Sequence, residues 1–248
     1  MPLYKITIKY NGLPYFGWQK QKNLPTIQNE IEIAINKITG KNILIYGASR
    51  TDAKVHSLGQ TAHFSINKIF LEYDLQSALN HHLIPKQIII VKTKIVSNEF
   101  HARHNKKTKI YQYKIFNSKT PPSLENGLAW HVKKPLNTKK MQQAARYLVG
   151  KYNFSSFKAK NCQAKSSILT LDKIKIKNIK NNLITIDFEA RSFIYKQIRI
   201  IVGTLVKFGY KQQNSTEIKK ILTNKNRKLA GVTAPGYGLY LKKITYIP

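Results

Sequence analysis

The order in which two hydrophobic periods alternate along the first half of the chain leaves few folds open. Residues 3–10 (Leu-Tyr-Lys-Ile-Thr-Ile-Lys-Tyr) alternate and read as a strand, after which Asn11-Gly12 turns the chain into an aromatic loop, Pro14-Tyr15-Phe16-Gly17-Trp18-Gln19. That loop is either a plug in the core or a stacking surface. Thr26 opens a helix by N-cap logic, with Glu30 and Glu32 in its early turns, Ile27, Ile31, Ile35 and Ile38 along one face, and Gly40 as its stop. A strand at 43–46, a loop, a strand at 60–66, a helix at 71–83 closed by Pro85 and a strand at 88–96 complete the series. The order is β-α-β-β-α-β, a split βαβ arrangement.

The second half repeats this logic with longer connections. Residues 108–116 alternate as a strand and place Tyr111 and Tyr113 on one face by the two-residue period. Residues 117–137 hold three prolines and read as a long loop, followed by a helix at 138–148 and an aromatic, polar loop at 150–157. Residues 168–178 and 183–190 form a hairpin across Asn181-Asn182. Phe193, Ile194, Ile198, Ile201, Val202, Leu205 and Phe208 recur at helical spacing up to Gly209, and Arg199 projects from that helix. A short helix at 215–222, a loop at 230–238 and a strand at 239–246 end the chain. The expected fold class is α+β: two ferredoxin-like (split βαβ) domains with mixed, largely antiparallel sheets, residues 1–104 and 105–248, meeting at a basic cleft, since ligand sites favour such junctions.

Within the first half, Gly47-Ala48-Ser49-Arg50-Thr51-Asp52-Ala53-Lys54-Val55-His56-Ser57 joins two strands and carries a carboxylate at its tip. Asp52 lies two residues from Arg50 and two from Lys54, and nearby cations favour the ionised acid. Loops held by rigid strands are where chemistry tends to be placed, although an Asp in a Gly/Ser loop also serves as a plain turn former. The surroundings matter because the chain carries 43 Lys plus Arg against 11 Asp plus Glu, a formal charge of +32. Self-repulsion of that size weakens a compact state, so a polyanionic partner, nucleic acid first, is the reason to carry it. The abundance of Lys, Asn and Ile together, as expected of an AT-rich genome, makes some lysines compositional. The six arginines (Arg50, Arg103, Arg146, Arg191, Arg199, Arg227) are then the more informative cations, because the planar fork does what Lys cannot.

Other chemistries find little support. Cys162 is the only cysteine, which excludes an internal disulfide and a multi-cysteine zinc site, and it reads as a small semi-buried residue rather than a nucleophile. Seven scattered histidines form no HExxH pattern, and neither GxxxxGK[ST] nor GxGxxG occurs, so neither a metal nor a cofactor is expected. No apolar run reaches the roughly 18 to 20 residues of a membrane helix, and the N-terminus runs straight into a strand pattern, so a cytoplasmic location is expected. A lone carboxylate among cations can stabilise an oxocarbenium-like centre or add as a nucleophile. Glycoside hydrolysis normally needs two carboxylates, whereas a rearrangement that keeps its leaving group in the site can manage with one. Conversion of uridine to pseudouridine is such a rearrangement.

The chain resembles the TruA-type tRNA pseudouridine synthases along nearly its full length. The resemblance is carried by Arg50-Thr51-Asp52-Ala53-x-Val55-His56, by Phe100-His101-Ala102-Arg103 followed by Tyr111-x-Tyr113, and by Asn153-Phe154-Ser155-Ser156-Phe157 with Cys162-Gln163. Phe193-Ile194-Tyr195-x-x-Ile198-Arg199-x-Ile201-Val202-Gly203 and Ala234-Pro235-x-x-Gly238-Leu239-Tyr240-Leu241 complete the ordered blocks. The resemblance implies the pseudouridine synthase fold and a cofactor-independent isomerase acting on tRNA at uridines 38, 39 and 40 of the anticodon stem-loop, as a homodimer. It implies that Asp52 acts on the ribose or the base, that Arg199 pairs with Asp52, that Tyr111 stacks on the flipped uracil, and that Arg50 enters the RNA stem to hold the target nucleotide out.

Two positions depart from the family pattern: Lys54 stands where Gly is usual, and Ser49 where Gly is frequent. If residue 54 takes a positive φ, Lys there costs about 1 kcal/mol. Two rival readings stay open on the residues alone. One is a non-catalytic RNA-binding protein, for which the charge would suffice. The other is a nucleoside or nucleotide hydrolase built on Asp52, for which no second carboxylate is evident.

Overall fold

A computed structural model describes residues 1–160, 162–210 and 213–246. In chain order its first elements are β1 (Leu3–Tyr10), α1 (Ile27–Thr39), β2 (Tyr46–Gly47), β3 (His56–Ser65), α2 (Glu72–Leu83) and β4 (Ile88–Val96). There follow β5 (Lys106–Asn117), β6 (Trp130–Val132), α3 (Thr138–Arg146), β7 (Gly150–Asn153), β8 (Ile168–Leu171), β9 (Lys173–Asn178) and β10 (Leu183–Ala190). The last are α4 (Gln197–Tyr210), α5 (Glu217–Thr223) and β11 (Leu239–Tyr246). They group into two compact units, Met1–Lys107 with Tyr240–Pro248, and Thr108–Leu239.

In the first unit β1 runs antiparallel between β3 and β4, β2 pairs antiparallel with β3, and β11 pairs parallel with β3. Even-numbered side chains of β1 (Tyr4, Ile6, Ile8, Tyr10) face a core completed by Ile27, Ile31, Ala34 and Ile35 of α1 and Leu75, Leu79 and Leu83 of α2. This is the helical stripe and the strand alternation meeting, each buried aliphatic side chain adding roughly 1.5–3 kcal/mol. Gly40 stops α1 in the left-handed region at φ +69°, and its N–H closes on the Asn36 carbonyl at 2.7 Å. Thr26 has the extended backbone of an N-cap, but its hydroxyl is buried with no hydrogen-bond partner.

Several boundaries differ from the sequence reading for identifiable reasons. The strand expected at 43–46 shrinks to Tyr46–Gly47, because the Ile45 N–H faces the Glu32 carboxylate at 3.4 Å instead of a neighbouring strand. Strand β3 starts at His56 rather than residue 60, because β1 keeps pairing past an irregularity, as far as Tyr10↔Ser57. The aromatic loop is mainly a core plug: Tyr15 and Trp18 are buried, while Phe16 remains half exposed. The closing strand, expected in the domain 105–248, belongs to the first unit, with Tyr240 opposite His56 and Leu241 opposite Ser57.

In the second unit β10 lies antiparallel between β5 and β9, β6 joins β5 in parallel, and β7 and β8 form a separate antiparallel pair. The Asn181-Asn182 turn is as expected, both residues at φ near +60°. The run at 168–178 is interrupted at Asp172, so β8 turns to β7 while β9 continues the hairpin with β10. Short β6 lies inside the stretch read as loop. Helix α4 begins at Gln197 rather than Phe193, because Lys196 sits at φ +59° and no helix passes through the left-handed region. Of its 14 residues 11 are buried, which makes it the central helix of this unit.

Candidate active site

The loop that bears Asp52 spans residues 48–55 between β2 and β3, and its backbone is held by the connection from β1 to α1. The Trp18 N–H donates to the Thr51 carbonyl at 3.1 Å, and the Lys54 N–H donates to the Tyr15 carbonyl at 3.1 Å. The Tyr10 hydroxyl bonds the Thr51 hydroxyl at 2.8 Å, and the Gly12 N–H donates to His56 Nδ1 at 3.2 Å. From the other side buried Gln60 donates to the Ser49 carbonyl at 2.6 Å. Buried hydrogen bonds of this kind contribute about 1 kcal/mol each and specify one conformation. Asp52 therefore occupies a tip whose own turn, Val55 N–H to Asp52 carbonyl at 3.2 Å, is clamped on both flanks.

Two glycines make the clamp possible. Gly17 lies at φ +101° with its α-carbon against the loop, where a Cβ would stand 2.6 Å from the Thr51 carbonyl oxygen. At Gly12 a Cβ would stand 2.0 Å from the Val55 carbonyl oxygen. Lys54 takes φ +64°, the left-handed conformation for which Gly is suited. Asp52 is partly buried, whereas Arg50 and Lys54 are exposed.

The second unit arranges the other expected residues. Tyr111, Tyr113 and Ile115 are the buried residues of β5, so the shared face read from the period is correct. Tyr111 is met edge-on by Phe193 at 5.4 Å between ring centroids. Arg199 projects from the first turn of α4 and is half-buried; its Nε donates to the Ala234 carbonyl at 2.7 Å, and the Ala234 N–H donates back to the Arg199 carbonyl at 3.0 Å. The neighbouring Pro235 carbonyl accepts from the Tyr113 hydroxyl at 2.8 Å, and Gly238 is packed so closely that a Cβ would lie 2.6 Å from the Tyr113 ring. Burial pushes the Tyr113 phenol well above its ordinary pKa, the nearby Arg199 charge opposing in part. Ala234–Gly238 is thus a brace that fixes one nitrogen of Arg199.

Asp52 and Arg50 accordingly sit on one loop of the first unit, and Tyr111 and Arg199 on β5 and α4 of the second. The residues to which sequence reasoning gave no role are supports: Tyr10, Gly12, Gly17 and Gln60 around Asp52, and Tyr113 and Ala234, named there only for their face or their block, around Arg199. Gly17 and Gly12 were open to detection, since glycines in an aromatic loop signal a close backbone approach. Among the described residues no group of three or more His, Cys, Asp or Glu is placed to hold a metal ion, and no helix is long and apolar enough to cross a membrane.

A family model described as tRNA pseudouridine synthase matches residues 6–105 and 144–247, spans that contain the Asp52 loop and Arg199. The protein named tRNA pseudouridine synthase A from Wolbachia pipientis wMel is 46% identical over 245 residues, covering 98% of this chain and 99% of that protein. Its namesakes from Ehrlichia canis (strain Jake) and Anaplasma marginale (strain Florida) are 45% and 42% identical, with the same coverage of both chains. With a family model over most of its length and relatives of this identity from end to end, the chain belongs to the tRNA pseudouridine synthase family.

Proposed function

We propose that this protein converts uridine to pseudouridine in tRNA at positions 38, 39 and 40 of the anticodon stem-loop, with Asp52 as the reacting carboxylate, as a cytoplasmic homodimer and without a cofactor. The observation that carries the reading is the clamped Asp52 loop, a single carboxylate held rigidly in a chain of family-wide likeness. In the reaction the N1–C1′ bond breaks, the uracil turns within the site, C5 bonds to C1′, the C5 proton leaves and N1 takes up a proton, so that product and substrate are isomers. No water is consumed, so one carboxylate suffices where hydrolysis would want two. Asp52 attacks C1′ or the pyrimidine ring, and a loop whose backbone is clamped lowers the cost of orienting it.

In this reading Arg199, braced by Ala234, pairs with Asp52. Tyr111 stacks on the extruded uracil and takes the C5 proton, a role set by position more than by an unusual pKa. Exposed Arg50 enters the stem and keeps the nucleotide out of the helix.

The test is tritium release from tRNA labelled at uridine C5, comparing wild type with Asp52→Asn. Release by the wild type, and loss of at least about a thousandfold in the variant with tRNA still bound, is the expected outcome, because a nucleophile supplies several kcal/mol of the barrier lowering. Wild-type protein that binds tRNA and releases nothing would replace the isomerase with an RNA-binding reading.

A further inference from the structure

The first unit also carries a ladder of aromatic rings that has no part in the roles proposed for Asp52, Tyr111 and Arg199. Tyr46 of β2 is stacked on His63 of β3, centroids 5.2 Å apart and planes 23° from parallel. The series continues to His101 at 4.7 Å from His63, and from His101 to His104 at 4.3 Å. Tyr46 is also tilted against His101 at 6.1 Å. The ends of the series differ from its middle. His63 is buried, and its Nδ1 accepts from the Ala102 N–H at 3.2 Å. Tyr46 is 51% exposed and His104 is exposed.

The backbone beneath the ladder is fixed. The His101 N–H donates to the Asn105 side chain at 2.7 Å, the His104 N–H donates to the His101 carbonyl at 3.1 Å, and the Arg103 N–H donates to His101 Nδ1 at 3.1 Å. Residues 101–105 therefore form a rigid turn that presents imidazoles instead of burying them. Arg103 and Lys107 are exposed on that segment, and the Lys106 ammonium folds onto the Arg103 carbonyl. Burial pushes His63 down to about 4, and His101 is also lowered, first by burial and then by His104 and Arg103. Those two imidazoles are neutral at pH 7 and meet edge-on as aromatic rings rather than repelling as cations.

A half-exposed phenol backed by a buried ring here stands beside an exposed imidazole and exposed cations. This combination matches the two parts of a single-stranded nucleotide: a flat base and an anionic phosphate. We propose that Tyr46 and His104 form a stacking ledge for an unpaired nucleotide of the tRNA substrate outside the target position, with Arg103 and Lys107 meeting its flanking phosphates. Because β2 leads directly into the Asp52 loop, a nucleotide held here also restrains where the bound RNA can lie along that loop. The inference rests on tRNA being the substrate and on none of the roles proposed for Asp52, Tyr111 or Arg199.

The experiment is fluorescence anisotropy with the full-length protein, using an unmodified tRNA transcript and a blunt RNA duplex with a similar number of phosphates. The duplex offers charge but no free base. Tyr46→Ala and His104→Ala are expected to raise Kd for tRNA by about five- to tenfold each, as base–aromatic stacking is typically measured. Tyr46→Phe keeps the ring and should bind as the wild type does, and none of the three should alter Kd for the duplex. An unchanged tRNA Kd in both alanine variants, or equal losses for tRNA and duplex, would overturn the ledge. Tritium release by the same wild-type preparation separates this from the isomerase reading: protein that shows the ring-dependent tRNA affinity and releases no tritium refutes the chemistry and leaves the ledge standing.

Discussion

Lys54 lies two residues from Asp52 in a backbone conformation that L-residues avoid, at φ +64°. Its N–H is spent on the Tyr15 carbonyl, so the strain is held by the clamp rather than relieved by a shift. Replacing it with Gly removes the Cβ penalty and adds chain entropy to the unfolded state, two terms that partly cancel. Lys54→Gly should therefore raise unfolding free energy by about 0.5–1 kcal/mol in urea titrations, with tritium release within about twofold of wild type. His63 supplies a second residue-scale expectation. Its folded pKa, about 4, lies below the ordinary 6.5, so the unfolded chain binds the proton more readily. The stability it contributes is complete above pH 6.5 and is lost as pH falls from there towards 4. In His63→Phe, stability at pH 7 should fall because the bond from the Ala102 N–H is gone, while the decline between pH 6.5 and 4 becomes shallower. Urea midpoints measured across that window compare the two slopes.

At the scale of elements, the connection from β1 to α1 acts as a mould for the Asp52 loop. Gly17 is its critical point, since both its φ of +101° and the 2.6 Å to the Thr51 carbonyl oxygen exclude a side chain. Gly17→Ala should cost about 2 kcal/mol or more of stability and displace the loop. Activity should fall by tenfold or more through kcat, while Kd for tRNA, dominated by charge, changes little. Tritium-release kinetics beside anisotropy measure both. The second unit uses the same device at Gly238 under Tyr113 and at the Ala234 brace of Arg199. Much of this was legible in the chain: the Asn181-Asn182 turn, the Gly40 stop and the shared face of Tyr111 and Tyr113 all follow from local rules. The start of α4 was not, because Lys196 is an ordinary helix former whose left-handed φ no residue preference announces. Nor was the division of the aromatic loop into buried Trp18 and exposed Phe16, since both rings are large and suited to a core and only the packed neighbours choose between them.

At the scale of the whole molecule, a formal charge of +32 makes association with tRNA an exchange of counterions for phosphates. Raising salt from about 50 to 200 mM should weaken binding by about a hundredfold or more, with log Kd linear in log salt. An affinity that stays flat across that range would mean that the lysines serve composition rather than binding. The Asp52→Asn variant removes one of only 11 acidic side chains, so its salt slope should match that of the wild type.

What the sequence by itself determined is whatever depends on neighbours along the chain: the strand and helix periods, the sign of the charge, the Asp52 loop between two strands, and through its ordered blocks the family. The tertiary structure decided what depends on residues distant in sequence. It put the last strand in the first unit, since Tyr240 and Leu241 pair with His56 and Ser57. It chose which residues clamp Asp52, and it brought Tyr46, His63 and His101 into one ladder. The reason is physical: propensity and period act within a few residues, whereas a hydrogen bond or a ring contact between distant residues exists only once the whole chain has folded around it.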